Sequence, residues 1–250
     1  MNSNHRYTMQ LEVPYYECDV NDRMRLSFVL KHVQQIGTEQ LDRMGLPYHL
    51  LFAEGQCFVL AKMGLKVHRM PVSGQKITVY SSPQGTAAAQ FLREVTIAGE
   101  NGEKLVEVQT IWLLIDPASR KILRPDQFRH TLPVIPQGER MAEDYAAGRI
   151  KPTGEVIWQG EHPVRYSHID INHHMNNTVY ADLVTDALPY EEISTREVDR
   201  FLIKYQSEAV VGETISVTTR RGEDGFYYVE GRKESGRCFE AKISLKPSAV

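Results

Sequence analysis

The chain has 250 residues, of which 42% are hydrophobic, 24% charged and 9% aromatic. That apolar share supports a packed core and excludes a disordered or collagen-like polymer, and domains of about 100–150 residues would divide the length into one large unit or two small ones. The net charge of −3, from 29 basic and 32 acidic residues, argues against a general nucleic-acid binder, which carries a basic excess.

The first residues, Met1-Asn2-Ser3-Asn4-His5, lack an apolar signal core, so a cytoplasmic protein is expected. No apolar run approaches the ~20 residues that cross a bilayer, and no membrane association is expected. Cys18, Cys57 and Cys238 are scattered and odd in number, which suits reduced thiols better than a disulfide or zinc framework.

The first distinctive segment is Tyr15-Tyr16-Glu17-Cys18-Asp19-Val20-Asn21-Asp22-Arg23-Met24. It recurs as Tyr166-Ser167-His168-Ile169-Asp170-Ile171-Asn172-His173-His174-Met175. A second pair, Val72–Val79 and Val210–Val217, follows in the same order, so the chain reads as a duplicated domain. After the first copy, Leu26, Val29, Leu30, Val33, Ile36 and Gly37 recur at helical spacing. Strands follow, with a hairpin signal at Asn101-Gly102. Thr131 to Gly160 is rich in Pro and Gly and reads as a linker, with one short helix near Met141 to Ala147. After the second copy, Val179, Tyr180, Leu183, Val184, Ala187 and Leu188 mark another helix, ended by Pro189. Hairpin signals recur at Asp224-Gly225 and Ser235-Gly236, and Phe239, Ala241, Ile243 and Leu245 alternate as in a sheet with one covered face. The expected plan is therefore 1–130 as one helix-plus-meander unit, 131–160 as linker and 161–250 as the second unit. A lone helix and a sheet bury both apolar surfaces when the sheet curls around the helix, giving an α+β protein.

In an extended chain, Asp170, Asn172 and His174 face one way and Ile171 and His173 the other. A carboxylate, an amide and an imidazole then converge just before a helix that Asn176 or Asn177 caps, whose first-turn N–H groups offer an oxyanion site. These are the parts that acyl-bond hydrolysis needs. The first copy carries Arg23 at the His174 position, and arginine cannot act as a base. Glu208, four residues before Gly212, has Met70 as its counterpart. One copy keeps proton-transfer groups that the other lacks.

The run Asp-x-Asn-x-His-x-Asn-Asn-x-x-Tyr, Asp170 to Tyr180, and the stretch Lys-Tyr-Gln-Ser-Glu, Lys204 to Glu208, resemble the acyl-acyl carrier protein (acyl-ACP) thioesterases built from two tandem hotdog domains. The resemblance covers about residues 10 to 246 and is of bacterial type, without a plastid-targeting extension. It implies Asp170, Asn172, His174 and Glu208 as the catalytic set, no cofactor, and as partner an acyl carrier protein bearing a phosphopantetheine-linked fatty acyl chain. The N-terminal hotdog is implied to hold most of that chain. Leu183 stands where many plant members have Trp, and Ala209 where many have Cys, so water activated by Glu208 or His174 is favoured over a Cys nucleophile, with Asp170 orienting its neighbours or attacking directly.

Alternative readings are an acyl-CoA thioesterase, a hotdog dehydratase and a non-catalytic acyl-thioester binding module. Metal binding by His168, His173 and His174 fits no ligand spacing, so no metal is expected. Phe28, Leu30, Phe52, Phe58, Leu60, Met63 and Leu65 are candidates for an acyl tunnel or for ordinary core. An acidic carrier calls for a positive docking patch, either Arg120, Lys121, Arg124 and Arg129 or Arg220, Arg221, Arg232, Lys233 and Arg237. A homodimer is compatible with the sequence, although tandem hotdogs already supply a paired interface.

Overall fold

The structure is a computed structural model, and it describes residues 6–134, 140–141 and 143–247. The first half contains β1 (Tyr7–Glu12), α1 (Leu26–Arg43), α2 (Tyr48–Ala53), β2 (Cys57–Val67), β3 (Lys76–Ala87), β4 (Gln90–Gly99), β5 (Lys104–Ile115) and β6 (Ile122–Leu123). The second contains β7 (Glu155–Pro163), α3 (Val179–Asp186), α4 (Tyr190–Ile193), β8 (Val198–Tyr205), β9 (Thr214–Arg221), β10 (Tyr227–Lys233) and β11 (Gly236–Leu245).

All strands join one antiparallel sheet in the order β1-β3-β4-β5-β2-β8-β11-β10-β9-β7, with β6 added to β5. From either edge inward, each half follows the same strand sequence. The halves meet where β2 pairs with β8, with Met63 opposite Ile203 and Gly64 opposite Leu202. On α1 the residues expected at helical spacing, Leu26, Val29, Leu30, Val33, Ile36 and Gly37, are the buried stripe. On α3 the buried residues are Tyr180, Ala181, Leu183 and Val184. These faces enter one core cluster that runs through both halves, reaching Met63 and Leu65 on β2 and Phe201 and Ile203 on β8. Each fully buried Leu, Ile or Val stabilises the fold by about 1.5–3 kcal/mol.

The three hairpin signals join β4 to β5, β9 to β10, and β10 to β11. Gly102 and Gly225 have φ of 78° and 80°, a region that a Cβ disfavours. The alternation expected of β11 is only partial, because Cys238, Glu240 and Ser244 are buried together with Phe239, Ala241 and Ile243. Glu240 gains its cover from Arg237 and from the Gln206 amide, which donates to it at 2.9 Å.

The linker expectation needs two corrections. First, β7 begins at Glu155, within the expected linker, and pairs with β9. Its side chains are mostly exposed, as suits an edge strand, so no burial pattern announced it. Second, the described residues near Met141 to Ala147 form bends and a turn rather than a helix, while Ala142 lies outside the described residues. The amides of Tyr145 and Ala146 donate to Oε1 of Gln109 instead of to carbonyls one turn earlier. The segment is strapped across the sheet: Lys62 Nζ donates to the Gly148 carbonyl, and the Tyr145 hydroxyl to Glu107. Gly64 lies beneath this strap, where a Cβ would fall 1.9 Å from the Tyr145 carbonyl oxygen.

Candidate active site

The second-copy motif is a tight loop, not an extended strand, which corrects the alternating-face expectation. Oδ1 of Asp170 accepts the Asn172 amide at 2.8 Å, and the Asp170 carbonyl accepts the His173 amide at 3.0 Å. His173 takes a left-handed φ of 65°, and the Asp170 amide donates to the His174 carbonyl. A short aspartate side chain bonding two residues onward is a turn former. The first copy folds alike: Asp19 Oδ1 accepts the Asn21 amide at 2.8 Å, and Asp22 has φ 59°.

This loop and the one holding Glu208 bring the candidates together in part. His174 Nε2 lies 3.8 Å from Glu208 Oε1. Arg120, from the turn between β5 and β6 in the other half, pairs with that same oxygen at 2.5 Å. The contact raises the Arg120 pKa, first through the hydrogen bond to Glu208. Asp170 Oδ2 accepts the Asn176 amide group at 3.3 Å. Asn172 is exposed and meets Asp170 through its backbone amide. Asn176 also orders the start of α3, its Oδ1 accepting the Thr178 amide at 2.9 Å and the Thr178 hydroxyl at 2.8 Å. The expected oxyanion site in the helix's first turn is largely occupied, since the amides of Thr178, Val179 and Ala181 already have partners within the chain.

A cavity of about 470 Å³ lies in the first half, and none of Asp170, Asn172, His174 or Glu208 lines it. Tyr48 of α2 and Cys57 of β2 line it, near enough to the candidates to feel the charges of Asp170 and Glu208. Burial raises the Cys57 thiol's pKa, with a further contribution from Glu208. Burial also raises that of Tyr48, with a smaller contribution from Asp170. Deeper in, Phe58, Phe91 and Phe128 stand edge to face, with ring centroids 5.0–5.7 Å apart, and Trp112 and Leu132 complete an apolar wall. One side is the segment through Phe128 and Leu132, pinned where Gln56 Nε2 donates to the Gln127 carbonyl at 2.7 Å and where His130 meets Glu54 at 2.7 Å.

Of the seven tunnel candidates, Phe58 alone lines this cavity. Leu30, Met63 and Leu65 are fully buried core, and Phe52 is exposed. Arg120, Tyr48, Cys57 and Phe128 carry no local motif that marks them. Their position depends on which loop crosses which half. The pseudo-symmetric depression beside the first copy is lined by Asp19, Arg23, Met70, Asp182 and Asp186 instead. Among the described residues no His/Cys/Asp/Glu cluster has metal-binding geometry, and no helix is long and apolar enough to cross a membrane.

Two helix-wrapped half-sheets fused edge to edge make this a double hotdog protein. Matches to known families then specify it further: the acyl-ACP thioesterase N-terminal domain matches residues 4–130 and the acyl-ACP thioesterase C-terminal domain residues 154–245. The chain belongs to the acyl-ACP thioesterase family. It is 22% identical over 263 residues to the chloroplastic acyl-[acyl-carrier-protein] hydrolase FATB2 of Cuphea viscosissima, covering 96% of this chain and 63% of that protein. An acyl-ACP thioesterase from Bacteroides thetaiotaomicron shares the fold with TM-score 0.83 and 21% identity, covering 98% of this chain and 100% of that one. The 12:0-ACP thioesterase from Umbellularia californica does so with TM-score 0.83 and 15% identity, covering 98% of each chain.

Proposed function

We propose that this protein hydrolyses the thioester between a fatty acyl chain and the phosphopantetheine arm of acyl carrier protein, releasing free fatty acid in the cytoplasm. The observation that carries this reading is the pairing of His174 with Glu208, close enough to a largely apolar cavity for the Glu208 charge to reach the lining residue Cys57. Family membership supports it. The first half, residues 1–130, would hold the acyl chain, and the half beginning at β7 would supply the chemistry.

In this mechanism a water bridges His174 Nε2 and Glu208 Oε1, whose 3.8 Å separation leaves the imidazole without a direct bond to the carboxylate. One of the two takes a proton as the water oxygen attacks the thioester carbonyl. The C–S bond then breaks and the proton goes to the departing pantetheine thiolate, so acyl thioester and water become fatty acid and thiol. Asp170 holds the loop that presents His174, and Arg120 fixes the Glu208 oxygen. Asn172, exposed at the loop tip, would touch the incoming thioester or water.

Charge separates the two docking patches. Arg221, Arg232, Lys233 and Arg237 are each paired with a glutamate. Lys121, Arg124 and Arg129 are exposed and make no ion pair among the described residues, and they adjoin Arg120 at the site. That surface suits an acidic carrier. An acyl-CoA thioesterase is the competing reading. Hydrolysis of a panel of acyl-carrier proteins and matched acyl-CoAs, with His174→Ala as control, decides: carrier substrates turned over faster, and only by the parent, support the proposal. Faster turnover of the CoA esters overturns the carrier assignment, and no turnover of either overturns the enzyme reading.

A further inference from the structure

The apolar cavity contains a cation. Arg93 of β4 lines it, yet only 9% of the residue is exposed. Its side-chain hydrogen bonds among the described residues both use Nη1, which donates to Gln40 Oε1 on α1 and to the Ser81 hydroxyl on β3, two neutral groups. No carboxylate lies within ion-pair distance among the described residues. Asp42 and Asp126, the acids on the cavity wall, are exposed and form no ion pair with Arg93. Burial pushes the guanidinium pKa down to about 10, so it remains charged at neutral pH. A buried charge without a counter-ion is costly, and an apolar side chain of similar size would remove that cost.

Two further features surround it. Gln34 of α1 also lines the cavity, and its Nε2 is buried without a partner. Gly37, one turn on, leaves the guanidinium uncovered, since a Cβ there would lie 3.7 Å from Arg93 Nε. The site thus offers two donors, one of them cationic, and an alkyl chain has nothing to accept from either. Their position is also informative. Cys57, at the mouth, pairs with Ile115 of β5, and Arg93 pairs with Thr110 of the same strand. From Ile115 back to Thr110 and across from β2 to β4 is roughly 20 Å, the reach of a long acyl chain rather than of the thioester itself.

We infer that the acyl group this cavity takes carries a carboxylate at or near its far end, bound by Arg93 and Gln34. The inference rests on the thioesterase reading for the reaction and on the cavity alone for the ligand. A substrate of this class is the half-thioester of a dicarboxylic acid. It would have to come from a reaction that oxidises, or builds in, the far end of the chain.

The test is a length-matched panel of carrier proteins acylated with unsubstituted, ω-hydroxy and ω-carboxy chains. The parent protein is expected to show kcat/KM at least tenfold higher for the ω-carboxy chain than for the unsubstituted one. Arg93→Met should erase the preference, lowering kcat/KM for the ω-carboxy chain at least tenfold relative to the unsubstituted one, while Gln40 and Ser81 can still bond each other. A parent that prefers the unsubstituted or ω-hydroxy chain overturns the inference, and this arm needs no variant to fold. In parallel, calorimetry on the parent with unreactive pantetheine amides bearing the same chains reads binding without turnover. Selective binding of the ω-carboxy amide with no hydrolysis of any thioester would sink the thioesterase reading and leave the ligand class standing. Equal binding of all three would sink the ligand class whatever the activity.

Discussion

Glu208 is approached from both halves, by His174 from its own and by Arg120 from the other. If it shares the proton transfer with His174, Glu208→Gln and His174→Ala should each lower kcat on acyl-carrier thioesters by about 10²–10⁴-fold, followed as free thiol release. Neither should move the urea midpoint by much, as both side chains are partly exposed. Arg120→Ala is expected to lower kcat as well, because Glu208 loses the contact that fixes it. Its thermal midpoint should stay close to the parent's, since an exposed pair contributes under about 1 kcal/mol. Reversing Lys121 and Arg124 to Glu should raise the KM for acyl-carrier protein and spare short acyl-pantetheines; equal effects on both would count against docking there. At this scale the second-copy residues were legible because the first copy supplies a contrast, with Arg23 and Met70 in place of His174 and Glu208. Arg120, Tyr48 and Arg93 were not, since each acts through a partner distant in sequence. A lone Arg in a strand looks the same whether it faces water or a cavity.

Helices α1 and α3 were readable from spacing, although α3 stops at Asp186, short of Ala187 and Leu188, while α2 and α4, of six and four residues, are too short to show a period. The α1 stripe carries the period of a one-sided helix, and all six expected positions are buried. Ile36, fully buried, should cost about 2–5 kcal/mol on truncation to Ala, measured by urea unfolding. The strap between the halves was not readable. It anchors through isolated contacts, Ala146 under the turn and Ile150 against Leu202 and Tyr228, too sparse to form a period. Its hydrogen bonds run to side chains such as Gln109, which no local pattern announces. The closeness of the strap makes Gly64→Ala a sharp test. The added methyl meets backbone, which cannot rotate away, so a loss of at least about 1–3 kcal/mol is expected. Unchanged stability would mean that the strap does not press on β2.

The molecule as a whole is one sheet assembled from two similar halves, and much of its core lies behind the β2–β8 pairing. Each half expressed alone exposes that strand edge and should self-associate, visible as oligomers in size-exclusion chromatography. Alkaline stability follows from the tyrosines. Burial, and then Glu107, pushes Tyr145 up to about 12, and burial with the neighbouring Glu192 carboxylate does the same for Tyr227. Burial raises Tyr180 and Tyr205 further. Above pH ~10 the unfolded chain loses these protons while the native state keeps them, so the unfolded state binds fewer protons and stability falls as pH rises from about 10 to 12. The urea midpoint should drop between pH 9 and pH 11, and Tyr145→Phe should flatten the drop.

The seam also has a consequence in time. β2 leaves the ribosome well before β8, and at about 5–20 residues per second the partner strand follows roughly 7–28 s later. Throughout that interval the nascent first half presents an unpaired apolar edge. A chaperone that shields strand edges during synthesis would therefore affect the yield of this protein more than its final stability.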